Sequence, residues 1–464
     1  MGGLPGRLTS AVVEHYDLAI IGSGSGNSLV TPDFDDWRIA IIEEGTFGGT
    51  CTNVGCIPTK MYVYAAEVAN TVRAASRYGV DASLSRVRWR DVRDRIYGRI
   101  DPISVSGREY RAHGSNTVLY EAHAEFSGPR TLRLSTGEEI TADRIVVAAG
   151  SRPVVPDEVA DVPLHTSNTI MRIDALPRRV AILGGGFVGA EFAHIFSAFG
   201  TEVSVISRSS PLLRHLDLDI ARRFTEIARE RWDVRLDASV SSASAQAGGV
   251  RLDLSDGSSV EADLLLVATG RVPNSDRLNL GVIGADVHED GRIVVDEYQR
   301  TTAEGVWALG DVCSPHQLKH VSNHEARVVA HNLAHPGDMV AADHRFVPAA
   351  VFTHPQIAGV GLTEEQARAD GIEFVSVTQP FGETAYGWAM EDSTSVCKLL
   401  GDPSTGRVLG AHIIGPDASS LIQPVIQAMS FDQDFRDVAR SQYWIHPALA
   451  EVVENALLKL ATAR

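Results

Sequence analysis

Cys51 and Cys56 stand five positions apart in the segment Gly48–Lys60, GGTCTNVGCIPTK, and are half of the four cysteines in 464 residues. In a regular helix such a pair would have Cα atoms about 8.7 Å apart on different faces, whereas a disulfide needs about 4.4–6.8 Å. A bond between them therefore requires the chain to bend away from regular helix, and Asn53 and Gly55 are residue types that allow it. Pro58 suits the first turn of a helix running through KMYVYAAEVANTVRAA. A tight pair near a helix start is what a working redox couple needs, because strain makes a disulfide reducible and the helix N-terminus favours thiolate. Two inert buried thiols, or half of a zinc site, are the competing readings. Zinc would want further Cys or His at short spacing, and none follows, so no metal site is expected.

Among 16 histidines, His446 is singled out by its surroundings, YWIHPALAEVVENALLKL. It precedes a proline and a helix, with Glu451 five residues on to hold one imidazole nitrogen while the other exchanges a proton. Spacing alone leaves a capping role nearly as well supported.

Such groups need electrons and a scaffold, and two glycine turns point to both. YDLAIIGSGSGN reads as an apolar strand breaking into a turn in which Gly22, Gly24 and Asn27 occupy the G-x-G-x-x-G positions. Glu43, 21 residues after Gly22, ends the next strand and suits a ribose hydroxyl. The third glycine is missing, and Pro32 is expected to interrupt the following helix soon after it starts. The second fingerprint, Gly184, Gly186 and Gly189, is complete and opens a helix expected to run to Gly200. Ser207 stands where an NAD-selective site would carry an acid, and Arg208 and Arg214 follow, which favours a 2'-phosphate and hence NADPH. Solvated surface arginines are the plainer alternative.

The length implies two to four domains. A net charge of −17 argues against nucleic acid or anionic membrane as partners, and no apolar run approaches a membrane span. The N-terminal MGGLPGRLTSAVVEHYD does not read as a secretory leader, so a soluble cytoplasmic protein is expected. LLLVATGRVPN echoes the earlier IVVAAGSRP, which predicts that the chain leaves and re-enters its first domain there. The expected architecture is α/β, with two nested Rossmann-like domains and a third, α+β domain at the C-terminus. The boundaries are 12–152 with 273–342, then 153–272, then 343–464.

GGTCTNVGCIPTK, GGGFVGAE, ATGRVPN, GVWALGDV, FTHPQIAGVGLTE and HPALAE occur in an order that resembles the pyridine nucleotide-disulfide oxidoreductases along almost the whole chain. The resemblance implies a glutathione-reductase-like fold, FAD in the discontinuous first domain, NADPH in the second, and a homodimer formed through the third. By matched position, Cys51 resembles the thiol that attacks the substrate disulfide and Cys56 the thiol beside the flavin that forms a charge-transfer complex with it. Lys60 and Glu191 resemble the ion pair near the flavin, Asp311 the ligand of its ribityl chain, and His446 with Glu451 the acid-base pair reaching the other subunit's cysteines. FAD contacts are implied for Gly22, Gly24, Gly26, Asn27, Glu43, Gly49, Thr50, Lys60, Gly150 and Asp311. NADPH contacts are implied for Gly184, Gly186, Val188, Gly189, Glu191, Arg208, Arg214 and Gly270, with Phe187 where many relatives carry a gating tyrosine.

Within the family, members that use an extra C-terminal cysteine pair are disfavoured, since none lies near ATAR. Members acting on lipoamide usually show an acid where Ser207 stands, and those acting on glutathione typically read GGTC-x-NVGCVPKK and need cations for a carboxylate-rich substrate. GSGSGN, the shortened first helix and CIPTKMYVYAAEVA resemble instead the branch whose disulfide is an acetyl-cysteinyl amino sugar linked to inositol, a neutral polyhydroxylated substrate. NAD-dependent lipoamide or glutathione chemistry remains the alternative. Cys313 and Cys397 lie far from every motif.

Overall fold

The computed structural model describes residues 13–463; the expectation drawn from the first twelve residues lies outside them. The chain forms two compact units. One comprises the chain up to Asn53, Arg99–Arg152 and Val272–Ala342, and the other Val54–Gly98, Pro153–Arg271 and the chain from Asp343 onward.

In the first unit the strand Glu14–Ile21 lies between Ile39–Ile42 and Glu139–Val147, all parallel, with Thr117–Tyr120 beyond Ile39–Ile42. Such strands read as unbroken apolar runs because both faces are covered. Along Glu14–Ile21, Tyr16, Ala19 and Ile21 enter one buried cluster while Leu18 and Ile20 enter another. Glu139–Val147 also pairs in parallel with Val306–Ala308. Asn274 N–H, in the segment that follows the second sheet, donates to Gly150 O at 3.0 Å.

The second unit holds a second parallel sheet, ordered Asp233–Arg235, Glu202–Ile206, Arg179–Leu183 and Leu264–Val267. The helix Phe187–Ala198 buries most of its residues, and ends two residues before Gly200. The C-terminal part is a five-stranded antiparallel sheet, Ala349–Val351, Gln356–Gly361, Val408–Gly415, Val396–Gly401 and Val375–Pro380 in spatial order. The helix Ala450–Thr462 contributes Val452, Val453, Ala456, Leu457 and Leu460, at helical spacing, to the core beneath it.

A buried ion cluster joins the two parts of this unit. Lys398 Nζ, on a strand of the C-terminal sheet, reaches Asp217 at 3.0 Å, Asp219 at 2.6 Å and Glu364 at 2.7 Å. Burial alone would raise the Glu364 carboxyl, but Lys398 and Arg368 outweigh it and hold the pKa at about 2. Among the described residues no helix is long and apolar enough to cross a membrane.

Candidate active site

Cys51 sits in a short helix, Gly49–Asn53, and Cys56 is the first residue of the 19-residue helix Cys56–Ala74. The break between them falls at Gly55, with φ −134° and ψ −125°. Asn53, expected to help the bend, remains helical. Its side chain closes the loop instead, donating from Nδ2 to Phe47 O at 2.9 Å and Gly49 O at 3.0 Å. Gly48 and Gly49 have φ of +99° and +69°. A Cβ on Gly49 would stand 2.8 Å from Gly24 Cα, so the cysteine segment and the first glycine turn touch backbone to backbone. Thr50 lies between Gly49 and Cys51 in the same short helix. Cys51 is half-buried and Cys56 exposed, the latter where the helix dipole favours an anion.

One turn into that helix, Lys60 Nζ donates to both oxygens of Glu191, at 2.8 and 2.7 Å. Glu191 is nearly fully buried, and Phe352 N–H donates to its Oε1 at 3.0 Å while the Phe352 ring lies under the ammonium at 4.6 Å. The same helix and strand end meet again at Glu67, which lies 2.9 Å from His194 Nε2 and 2.8 Å from His354 Nδ1. Burial would raise the Glu67 carboxyl, but the two imidazoles hold it down to about 2. Phe352, Glu67 and His354 were not read from the sequence; FTHP was, as a motif without roles.

The first glycine turn is drawn tight by its own side chains. Gly22 has φ +103°, and a Cβ there would lie 2.3 Å from Ala148 O. Glu43 Oε2 accepts from Ser23 N–H at 2.9 Å and Ser23 Oγ at 2.6 Å, while its Oε1 accepts from Gly45 N–H at 2.8 Å. A carboxylate has about four lone-pair sites, so one remains for a ribose hydroxyl. Gly26 opens a four-residue 3-10 helix, Gly26–Leu29, and the chain leaves helical geometry at Val30, before Pro32. Asn27 Oδ1 accepts from Arg111 Nε at 2.7 Å. Asp311, in the same unit, accepts from Ser151 Oγ at 2.7 Å. Gly150, with φ +67°, has no atom within 4 Å of where a Cβ would be. A turn whose Cα atoms are bare on one side, with an acid and Asp311 in the same unit, fits a dinucleotide.

The second turn repeats the first glycine's geometry: Gly184 has φ +132°, with Ala268 O 2.2 Å from a would-be Cβ. Gly189 packs against Gly184 O at 2.2 Å in the same sense, whereas Gly186 and Gly270 face open space. Phe187 is 46% exposed at the helix start and Val188 is half-buried. Ser207 is buried, with its Oγ donating to Ser209 O at 2.9 Å, and Arg208 and Arg214 are exposed. At the C-terminus His446 Nδ1 meets Glu451 Oε1 at 2.7 Å, and Ala448 N–H donates to Glu451 Oε2 at 3.2 Å. The imidazole is 72% exposed, which leaves Nε2 accessible. Cys313 and Cys397 are buried, and burial pushes both thiols up, Cys397 to about 12.

Residues 16–330 match the family model for pyridine nucleotide-disulphide oxidoreductases, and 347–457 the model for that family's dimerisation domain. The chain belongs to this family. As a pyridine nucleotide-disulphide oxidoreductase it is an FAD-dependent disulfide oxidoreductase with a dimerisation domain at its C-terminal end. A mycothione reductase of Mycobacterium tuberculosis is 57% identical over 97% of this chain and 100% of its own length. A glutathione reductase of Burkholderia cepacia is 32% identical over 94% and 97%. Among solved structures, the Cu(II) complex of the HOCl-induced flavoprotein disulfide reductase RclA from Escherichia coli superposes with a TM-score of 0.86 at 30% identity, covering 97% of this chain and all of that one.

Proposed function

We propose that this protein is an NADPH-dependent mycothione reductase, working in the cytoplasm as a homodimer. The observation that carries this is the full-length identity of 57% to a mycothione reductase, against 32% to a glutathione reductase. The exposed Arg208 and Arg214 after Ser207 support NADPH, because guanidinium groups pair with a 2'-phosphate and no acid stands there to repel it.

When bound, NADPH would supply two electrons through FAD to the Cys51–Cys56 disulfide, opening it to a thiolate and a thiol. Cys51 thiolate then attacks one sulfur of the substrate disulfide, forming a mixed disulfide and releasing the first thiolate, which His446 of the partner subunit protonates. Cys56, as thiolate, attacks Cys51 sulfur in turn, expelling the second substrate thiolate, which takes a proton from solvent, and restoring the internal disulfide. Glu451, on Nδ1, fixes the tautomer that presents Nε2 and stabilises the imidazolium. When FAD is bound, Lys60 and Glu191 would hold charge near its ring, Asp311 would hold the ribityl chain and Glu43 the ribose.

The deciding experiment is a substrate panel with purified yellow enzyme, comparing mycothione, glutathione disulfide and lipoamide, each with NADPH and NADH. Preference for NADPH with mycothione is expected. A strong NADH–lipoamide preference overturns the reading in favour of a lipoamide dehydrogenase. Cys51→Ser is expected to abolish disulfide reduction, and full turnover in that variant would make the cysteines bystanders.

A further inference from the structure

The glycine turn assigned to FAD lacks the long helix whose positive end normally faces a pyrophosphate. Gly26–Leu29 is a single turn, so few peptide dipoles align behind the bound anion. Two cations lie against this turn, and they are used differently. Arg111 donates to Asn27 Oδ1 at 2.7 Å, and to Asn27 O at 3.1 Å and Val30 O at 3.5 Å, two carbonyls that a continuing helix would have satisfied for itself. Lys319 opens the 16-residue helix Lys319–Ala334 and sends Nζ to Ser25 Oγ at 2.8 Å. Ser25 flanks the 3-10 helix at its N-terminal end, the side on which a phosphate sits. Asn323 Oδ1, one turn further along the Lys319 helix, accepts a hydrogen bond from Ser25 Oγ at 3.5 Å. An ammonium has three donors, and Ser25 uses one. Among the described residues, Lys319 forms no salt bridge, and its ammonium is held by the Ser25 hydroxyl.

We propose that Lys319 binds the diphosphate of FAD, supplying from a separate helix the positive charge that the shortened one cannot. Ser25 orients the ammonium, and Arg111 holds the turn's shape without facing the phosphate. The proposal rests on the reading that this turn takes FAD, and it names the dinucleotide's diphosphate, not its flavin ring, as the group recognised.

The test follows FAD release from the holoenzyme by the rise in flavin fluorescence after dilution, at low and high ionic strength, for wild type, Lys319→Met, Lys319→Arg and Ser25→Ala. Loss of a charge-assisted contact predicts release about ten- to a hundredfold faster in Lys319→Met. Wild-type release should accelerate with salt, that acceleration should shrink in Lys319→Met, and Lys319→Arg should restore most of both. Ser25→Ala should fall between wild type and Lys319→Met, and the absorbance spectrum of still-bound flavin should not change. Lys319→Met releasing FAD at the wild-type rate overturns the proposal. So does faster release with unchanged salt dependence and no rescue by arginine, the signature of a lysine that only staples helix to turn. If Lys319→Met does not fold, the wild-type salt dependence and the arginine variant decide alone, and salt-insensitive wild-type release counts against the lysine. Wild-type protein purified without flavin would instead overturn the FAD reading itself.

Discussion

The two glycine turns begin alike and end differently. Gly22 and Gly184 adopt φ of +103° and +132°, and each lies against the carbonyl of an alanine that follows a parallel strand, Ala148 or Ala268. Beyond that point the second turn runs into the helix Phe187–Ala198, and Gly189 is pressed against Gly184 O. The first turn stops after Leu29, so no long helix presses on position 27, and Asn27 replaces the third glycine. The tight position moves to Gly26, where a Cβ would meet Ile20 Cγ2 at 2.8 Å. The first glycine thus answers to the strand end and the third to the helix. Where the helix is lost, its capping is taken over from afar.

The largest effects should come from the positions that the two turns share. Gly22→Ala and Gly184→Ala each force a Cβ to within 2.3 Å and 2.2 Å of a carbonyl oxygen at positive φ. Each should cost about 3 kcal/mol or more of stability. Gly22→Ala should yield protein without flavin, whereas Gly184→Ala should stay yellow and lose NADPH oxidation; visible spectra and stopped-flow reduction separate the two. Gly189→Asn, which gives the second turn the residue of the first, should be as damaging as Gly184→Ala, and tolerance of it would break the comparison.

Next is the substitute for the missing helix. Arg111→Met removes a charged donor from Asn27 and Val30 and should cost about 2–3 kcal/mol. Urea unfolding of the holoenzyme would read this, and no single arginine should matter as much to the second turn.

How much of this the sequence discloses follows from distance along the chain. Gly22 with Glu43, Lys60 with Glu191, and His446 with Glu451 were legible because each belongs to a motif with its own spacing or to a family pattern. Arg111 and Asn27 are 84 residues apart, Ser151 and Asp311 are 160 apart, and Lys319 and Ser25 are 294 apart. No periodicity links such pairs, and Arg111 and Lys319 each look like one more solvated cation until the fold brings them to the turn. The early end of the first helix was anticipated at Pro32, but the chain departs already at Val30. The proline itself restricts only the residue before it, and Thr31 is accordingly extended, with φ −106° and ψ 169°. Asn53 likewise reads as a residue for bending, and its three backbone carbonyl partners become visible only once the loop is closed.

A smaller effect tests nucleotide choice in the second turn alone. Replacing both Arg208 and Arg214 with Ser should raise the KM for NADPH about tenfold while leaving NADH turnover and bound flavin unchanged. Equal losses with both nucleotides would mean that the two arginines support the fold and not the 2'-phosphate.

The smallest effect is expected at Asn27→Gly, which restores the missing glycine of the first fingerprint. The change removes the bond from Arg111 Nε to Oδ1 at 2.7 Å but keeps the main-chain carbonyl of residue 27, which Arg111 also reaches. Part of the guanidinium's work survives, and glycine adds backbone freedom to the unfolded chain. The two terms together should cost about 1 kcal/mol in urea unfolding, with FAD release within a few-fold of wild type. Combining Asn27→Gly with Arg111→Met gives a double-mutant cycle whose coupling energy measures the Oδ1–Nε contact directly. Coupling near zero would mean that Arg111 works through the carbonyls of Asn27 and Val30 alone, making the asparagine a consequence of the short helix and not a part of its replacement.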